Sequence, residues 1–203
     1  MAQILKEKVR DKILKAATNE FYKKGYSKAT LREIAKNAEI TTGNIYRYFE
    51  SKENLYKTVT EDTLKRLNKV LKEVTNNEIQ VLKNPSNDFV DKMSNENMNI
   101  LVEEIINKIF HEFYKEKNKL VIILRNDDKN LNNNIQIKFK NWFKELFEIT
   151  YGKIIISDIL ASNLLEGIIS ILTNKNIENN TEDVKKVETL IKFYFGKEGF
   201  KYE

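Results

Sequence analysis

Thr42, Asn44 and Arg47 stand close together in the segment ITTGNIYRYF, and each carries a group that matches part of a nucleic acid. The Asn44 amide can pair with N6 and N7 of adenine, Thr42 can touch a thymine methyl, and Arg47 can take a guanine or the backbone. This is the chemistry of recognition rather than of bond breaking. Gly43 lies among them and, lacking a Cβ, allows close approach to a DNA backbone. A short helix has to present these groups. Thr41 is a good N-cap for it, Ile45 and Phe49 give it a buried side, and Thr42, Asn44, Arg47 and Tyr48 are left on other faces.

The element before it is equally readable. Thr30 and Glu33 have the S/T-x-x-E spacing of a capping box, so a helix begins near Leu31. Leu31, Ile34 and Ala35 fall on one face, and the small Ala35 lets a second helix cross closely. Together the two helices have the layout of a DNA-reading helix-turn-helix. The Thr30 hydroxyl and the free N–H groups at that helix start can also meet a phosphate, beside or in place of capping.

Charge and composition agree. Residues 1–60 contain 13 Lys+Arg against 7 Asp+Glu, whereas residues 61–203 contain 22 against 23. The excess positive charge lies with the helix-turn-helix, where counterion release from DNA would use it. One proline and six glycines leave few turns for a many-stranded fold, so the expected class is all-α. No cysteine and a single histidine exclude disulfides, thiolate sites and two-histidine metal motifs. Asp127-Asp128 and Glu103-Glu104 are paired carboxylates without a partner His, Cys or Gly-rich loop, and read as solvated residues. No catalytic residue, metal or cofactor is expected, and the chain is not expected to be an enzyme. MAQILKEKVRDK is charged where a secretory signal needs an apolar run, and no uninterrupted apolar stretch reaches about 18 residues. A cytoplasmic protein with no membrane partner is expected.

The segment ITTGNIYRYFESKENLY resembles the recognition-helix signature of the TetR family of bacterial transcriptional regulators. The pattern G-x-[IL]-Y-x-[YH]-F-x-x-K is met by Gly43, Ile45, Tyr46, Tyr48, Phe49 and Lys52, and the helix of residues 13–38 upstream is similar to the family's opening. The resemblance covers roughly the first 60 residues. It implies that Tyr46 and Lys52 anchor phosphates, with core packing the competing role for Tyr46. It also places Arg32 where a base edge or a phosphate is reached. Lys6, Lys8 and Arg10 would add a basic arm or simply a solvated terminus. Departures are Glu39, where many members carry glycine, Thr42 for a frequent lysine, and Arg47 for a frequent histidine or aromatic. Either the corner is built without a left-handed residue or Glu39 bears a strain of about 1 kcal/mol.

A first helix over about residues 4–23 should scaffold the reader, stopping at Gly25, with Phe21, Ile34, Ile45 and Phe49 as a shared core. Ser51 should cap a connecting helix over about residues 52–74. The expected domains are a helix-turn-helix domain, 1–51, and a helical regulatory and dimerisation domain, 52–203. Helical stretches separated by polar turns follow, one region ending in KLVIILRN and others at about 134–150, 154–173 and 182–196.

In the family this half holds a ligand pocket, and the last two helices pair with their twofold mates. Here His111, Phe110, Phe113, Tyr114, Arg125, Phe139, Trp142 and Phe143 form an aromatic set with a few polar handles, suited to a small, largely apolar effector. Ala161, Leu164, Leu165 and Ile168, with Val187, Leu190, Ile191 and Tyr194, offer a dimer interface, for which an intramolecular core is the competing account. The resulting expectation is a homodimeric repressor on a palindromic double-stranded DNA operator, released by an unidentified small molecule. The alternative is a DNA-bound adaptor controlled by a protein partner, with a packed pocket and an exposed apolar patch.

Overall fold

The computed structural model describes residues 2–74, 116–126, 131, 135–152, 155–174 and 180–195. All regular elements among them are helices: α1 (Ala2–Lys28), α2 (Leu31–Asn37), α3 (Thr42–Tyr46), α4 (Lys52–Val74), α5 (Lys117–Arg125), α6 (Ile135–Tyr151), α7 (Ser157–Thr173) and α8 (Asn180–Phe195). The all-α expectation holds. The chain divides into two compact units, one drawn from Met1–Arg66 and Glu116–Asn134, the other from Leu67–Lys115 and Ile135–Glu203.

In the first unit, α1 is broken at Gly25, whose φ of 74° and ψ of 168° leave the helical region. A residue without Cβ takes that conformation at little cost. The core collects Ile13, Ala17 and Phe21 from α1, Ile34 and Ala35 from α2, then Ile45, Phe49, Leu55, Tyr56 and Val59. Ser51 caps α4 as expected, its Oγ accepting from the Asn54 N–H at 3.0 Å.

The domain boundary expected after Ser51 does not match this division. The first unit takes in α4 as far as Arg66 and also recruits α5, whose Ile122 joins the same core. Leu120, Val121, Ile122, Ile123 and Leu124 are all buried, so this run of α5 has no wet face, and the helix packs along α1. Its beginning is tied to α4 through Glu116, which accepts from Thr63 Oγ1 at 2.8 Å, from Lys119 Nζ at 3.2 Å and from the Arg66 guanidinium. Burial alone would raise the Glu116 pKa, but the hydrogen bonds from Thr63 and Lys119 outweigh it and hold the carboxyl below its ordinary value. At the other end of α5, Asn126 Nδ2 donates to Tyr56 Oη at 2.9 Å, and that hydroxyl donates to the Ile122 carbonyl at 3.4 Å.

In the second unit α6 packs on α7, and α7 on α8. Phe147 of α6 stacks on Phe195 of α8 with ring centroids 4.6 Å apart, and Lys144 reaches Asp158 of α7 at 2.8 Å. Gly167 makes close helix approach possible, since a Cβ there would lie 2.8 Å from Leu190 Cδ2. Among the described residues no helix is long and apolar enough to cross a membrane.

Candidate nucleic-acid interface

The corner is built by local hydrogen bonds at both helix ends. Thr30 Oγ1 accepts from the Glu33 N–H at 3.2 Å, which starts α2 where the spacing predicts. At the end of α2 the Glu39 N–H donates to the Lys36 carbonyl at 3.1 Å and the Ile40 N–H to the Ala35 carbonyl at 3.0 Å. These are the two crossed bonds of a Schellman motif, which needs a left-handed residue at the position Glu39 occupies. Glu39 takes it, with φ 58°. Of the two accounts of the corner, the strained one holds. Lys12 Nζ lies 3.3 Å from Glu39 Oε2, but both side chains are exposed and the pair contributes little. Glu39→Gly is therefore expected to raise the unfolding free energy by about 1 kcal/mol, as read by urea denaturation. An unchanged or lower midpoint would show that the left-handed turn carries no strain.

Thr41 then caps α3, its Oγ1 accepting from the Asn44 N–H at 3.2 Å. Ile45 is fully buried and Phe49 nearly so, and this pair fixes which face of α3 looks outward. Thr41, Gly43, Tyr46 and Arg47 are exposed, Thr42, Asn44 and Tyr48 are half-buried, and Arg32 and Thr30 are exposed on the preceding element. At 57% exposure Tyr46 is no core residue, so its hydroxyl is available to a phosphate. A Cβ at Gly43 would meet nothing nearer than Thr41 Oγ1 at 4.0 Å. Nothing in the chain itself demands glycine there.

Lys52 departs from the expected phosphate anchor. Its Nζ donates to the carbonyl oxygens of Tyr26 at 2.9 Å, Ala29 at 3.1 Å and Ser27 at 3.5 Å, and lies 4.4 Å from the Tyr26 ring centroid. An ammonium has three donors, and all three face the chain. Lys52 thus pins the last turn of α1 and Ala29 beyond it onto the first turn of α4. The sequence signal was its place in the signature, which marks a required lysine without saying what it holds.

The expected effector set is only partly assembled. His111 and Tyr114, like Phe110 and Phe113, lie outside the described residues. Arg125 belongs to the first unit, at the exposed end of α5. Phe139 and Phe143 are buried against Trp142, with centroids 6.5 and 5.1 Å from its ring, and serve as core. Of the four described members, Trp142 lines a cavity of about 460 Å³ within the second unit, with Asn68, Leu71 and Lys72 of α4 and Lys138, Asn141 and Glu145 of α6. Lys138, Asn141 and Glu145 flank Trp142 at helical spacing, a polar stripe whose period is readable in the sequence.

The expected dimer residues are corrected in the same way. Ala161, Leu164, Leu165, Ile168, Val187 and Ile191 are buried within the chain. Leu190 sits against Gly167, and the Tyr194 carbonyl accepts from Tyr151 Oη at 2.6 Å. The six buried residues belong to the core of the second unit, where α7 packs on both α6 and α8, and Leu190 and Tyr194 are half-buried. Among the described residues of the second unit, the large apolar side chains left exposed are Ile137, Ile155, Ile159 at 58% and Phe193 at 61%.

A short capped helix with polar groups outward, set on a buried floor after a Schellman corner, defines the first unit as a helix-turn-helix DNA-binding module. Residues 13–59 match the family model described as bacterial regulatory proteins, tetR family. It is 46% identical over 48 residues to the HTH-type transcriptional regulator QacR of Staphylococcus aureus, a match covering 24% of this chain and 26% of QacR. It is 38% identical over 55 residues to the HTH-type transcriptional repressor KstR2 of Mycolicibacterium smegmatis, covering 27% of each. These matched stretches span about a quarter of the relatives' lengths. A TetR-like transcriptional regulator from Rhodococcus sp. RHA1 is similar in structure with a TM-score of 0.53 and 15% identity, over 90% of this chain and 93% of that one, a likeness of fold.

Proposed function

We propose that the protein is a transcriptional repressor that binds a palindromic operator as a homodimer and leaves it when a small molecule occupies the second unit. The outward polar face of α3, fixed by buried Ile45 and Phe49, carries this reading. In it Thr42, Asn44 and Arg47 read bases while Tyr46 and Thr30 seat the helix on phosphates. A helix of this length reads few bases, and a twofold mate reading the next half-site, about 34 Å away, supplies the rest. Exposed Ile159 and Phe193 on α7 and α8 support a partner face there. The cavity beside Trp142 supports a small-molecule effector over a protein partner. Release requires that the effector bind the DNA-incompetent arrangement more tightly, because equal affinity shifts nothing.

Electrophoretic shifts with DNA flanking the gene provide the test. A salt-sensitive, sequence-selective complex is expected, with Tyr46→Ala weakening all sites alike and Asn44→Ala relaxing discrimination by about 1–3 kcal/mol at one base pair. Equal retention of every sequence would sink the proposal.

A further inference from the structure

The cavity of the second unit has a donor-rich wall. Its volume of about 460 Å³ falls within the usual range for organic ligands. Lys72 and Lys138 contribute ammonium groups and Asn68 and Asn141 amides, whereas Glu145 is the single carboxylate lining it among the described residues. Lys138 Nζ spends one donor on Asn68 Oδ1, at 2.6 Å, and an ammonium carries three. The Trp142 side chain is 4% exposed and contributes an apolar surface beside Leu71. The wall therefore favours oxygen acceptors and negative charge, next to the apolar surfaces of Leu71 and the Trp142 ring.

We infer that the ligand of this cavity is an amphipathic organic anion, with an acidic group met by Lys72 and Lys138 and an apolar part lying along Trp142 and Leu71. The inference rests on the proposal that this cavity is the effector site. It refines the largely apolar molecule expected from the aromatic residues, since two ammonium groups and two amides disfavour a neutral hydrocarbon and the ammonium groups oppose a cation.

Trp142 is the chain's single tryptophan, so intrinsic fluorescence reports from the cavity wall. The full-length protein is titrated with decanoate, decanol and decyltrimethylammonium, three ligands of matched chain length that differ in charge. Decanoate is expected to change the emission saturably and to bind about tenfold more tightly than either of the others. In the double variant Lys72→Gln, Lys138→Gln that advantage should vanish while decanol binds as before. Both lysines are exposed, so the variant should fold, and circular dichroism checks that it does. Equal or tighter binding of the cation, or an anion advantage that survives the double substitution, overturns the ligand class and leaves the cavity as a site. No emission change with any of the three overturns the cavity as a binding site. Decanoate binding that leaves an operator complex intact supports the ligand class and overturns the regulatory proposal.

Discussion

Lys52→Met should lower the unfolding free energy by about 2 kcal/mol and leave the salt dependence of DNA binding unchanged. Hydrogen bonds to a charged group contribute about 1.5–3 kcal/mol each when shielded, but Lys52 is half-buried and water can replace part of what is lost. The contact with the Tyr26 ring, 4.4 Å from Nζ, adds about 0.5–1 kcal/mol. Methionine keeps the apolar stem and removes only the ammonium. A phosphate anchor makes the opposite prediction, with stability unchanged and the slope of log affinity against log salt reduced by about 0.9. Urea denaturation and binding titrations across salt concentrations separate the two. Lys52→Arg should recover only part of the stability, because a planar fork does not fit carbonyls arranged around one point.

Phe49→Ala is expected to cost about 3–5 kcal/mol, the largest effect of any single substitution considered. Phe49 is 3% exposed and shares the first core with Ile45, Ile34 and Phe21. The Arg10 guanidinium lies 5.6 Å from its ring centroid, so truncation also removes a cation–π contact. Since Phe49 and Ile45 orient α3, operator binding should disappear along with the stability. A urea midpoint close to that of the parent protein would show that α3 does not depend on this floor.

What the sequence disclosed and what it concealed divide along physical lines. Thr30, Thr41 and Ser51 were identifiable as caps because capping is a bargain among neighbours, decided within one turn. The buried sides of α2 and α3 were legible from spacing for the same reason. KLVIILR gave no comparable signal. A helix buried all round has no periodicity, and nothing in its residues says which of two cores it enters. Ala161, Leu164, Leu165 and Ile168 are ambiguous for a different reason, since the small and apolar residues that fit a twofold mate also fit neighbouring helices of the same chain. Lys52 shows the limit of a motif, which fixes a residue type and leaves its partner open. Glu39 needed backbone torsions to decide between two corners that its identity alone left equal.

The passage of α4 through both units has a practical meaning for anyone who would move the reader to another protein. The boundary falls between Arg66 and Leu67, inside an uninterrupted helix, while Leu55, Tyr56 and Val59 form part of the wall beneath α2 and α3. A chimera cut after Ser51 would carry the recognition surface but leave that wall behind, together with Ile122 from a segment far along the chain. The reader is not a detachable cassette. Its transplantable form has to include α4 to Arg66 and α5 as well, so a graft succeeds only where the host supplies, or accepts, both.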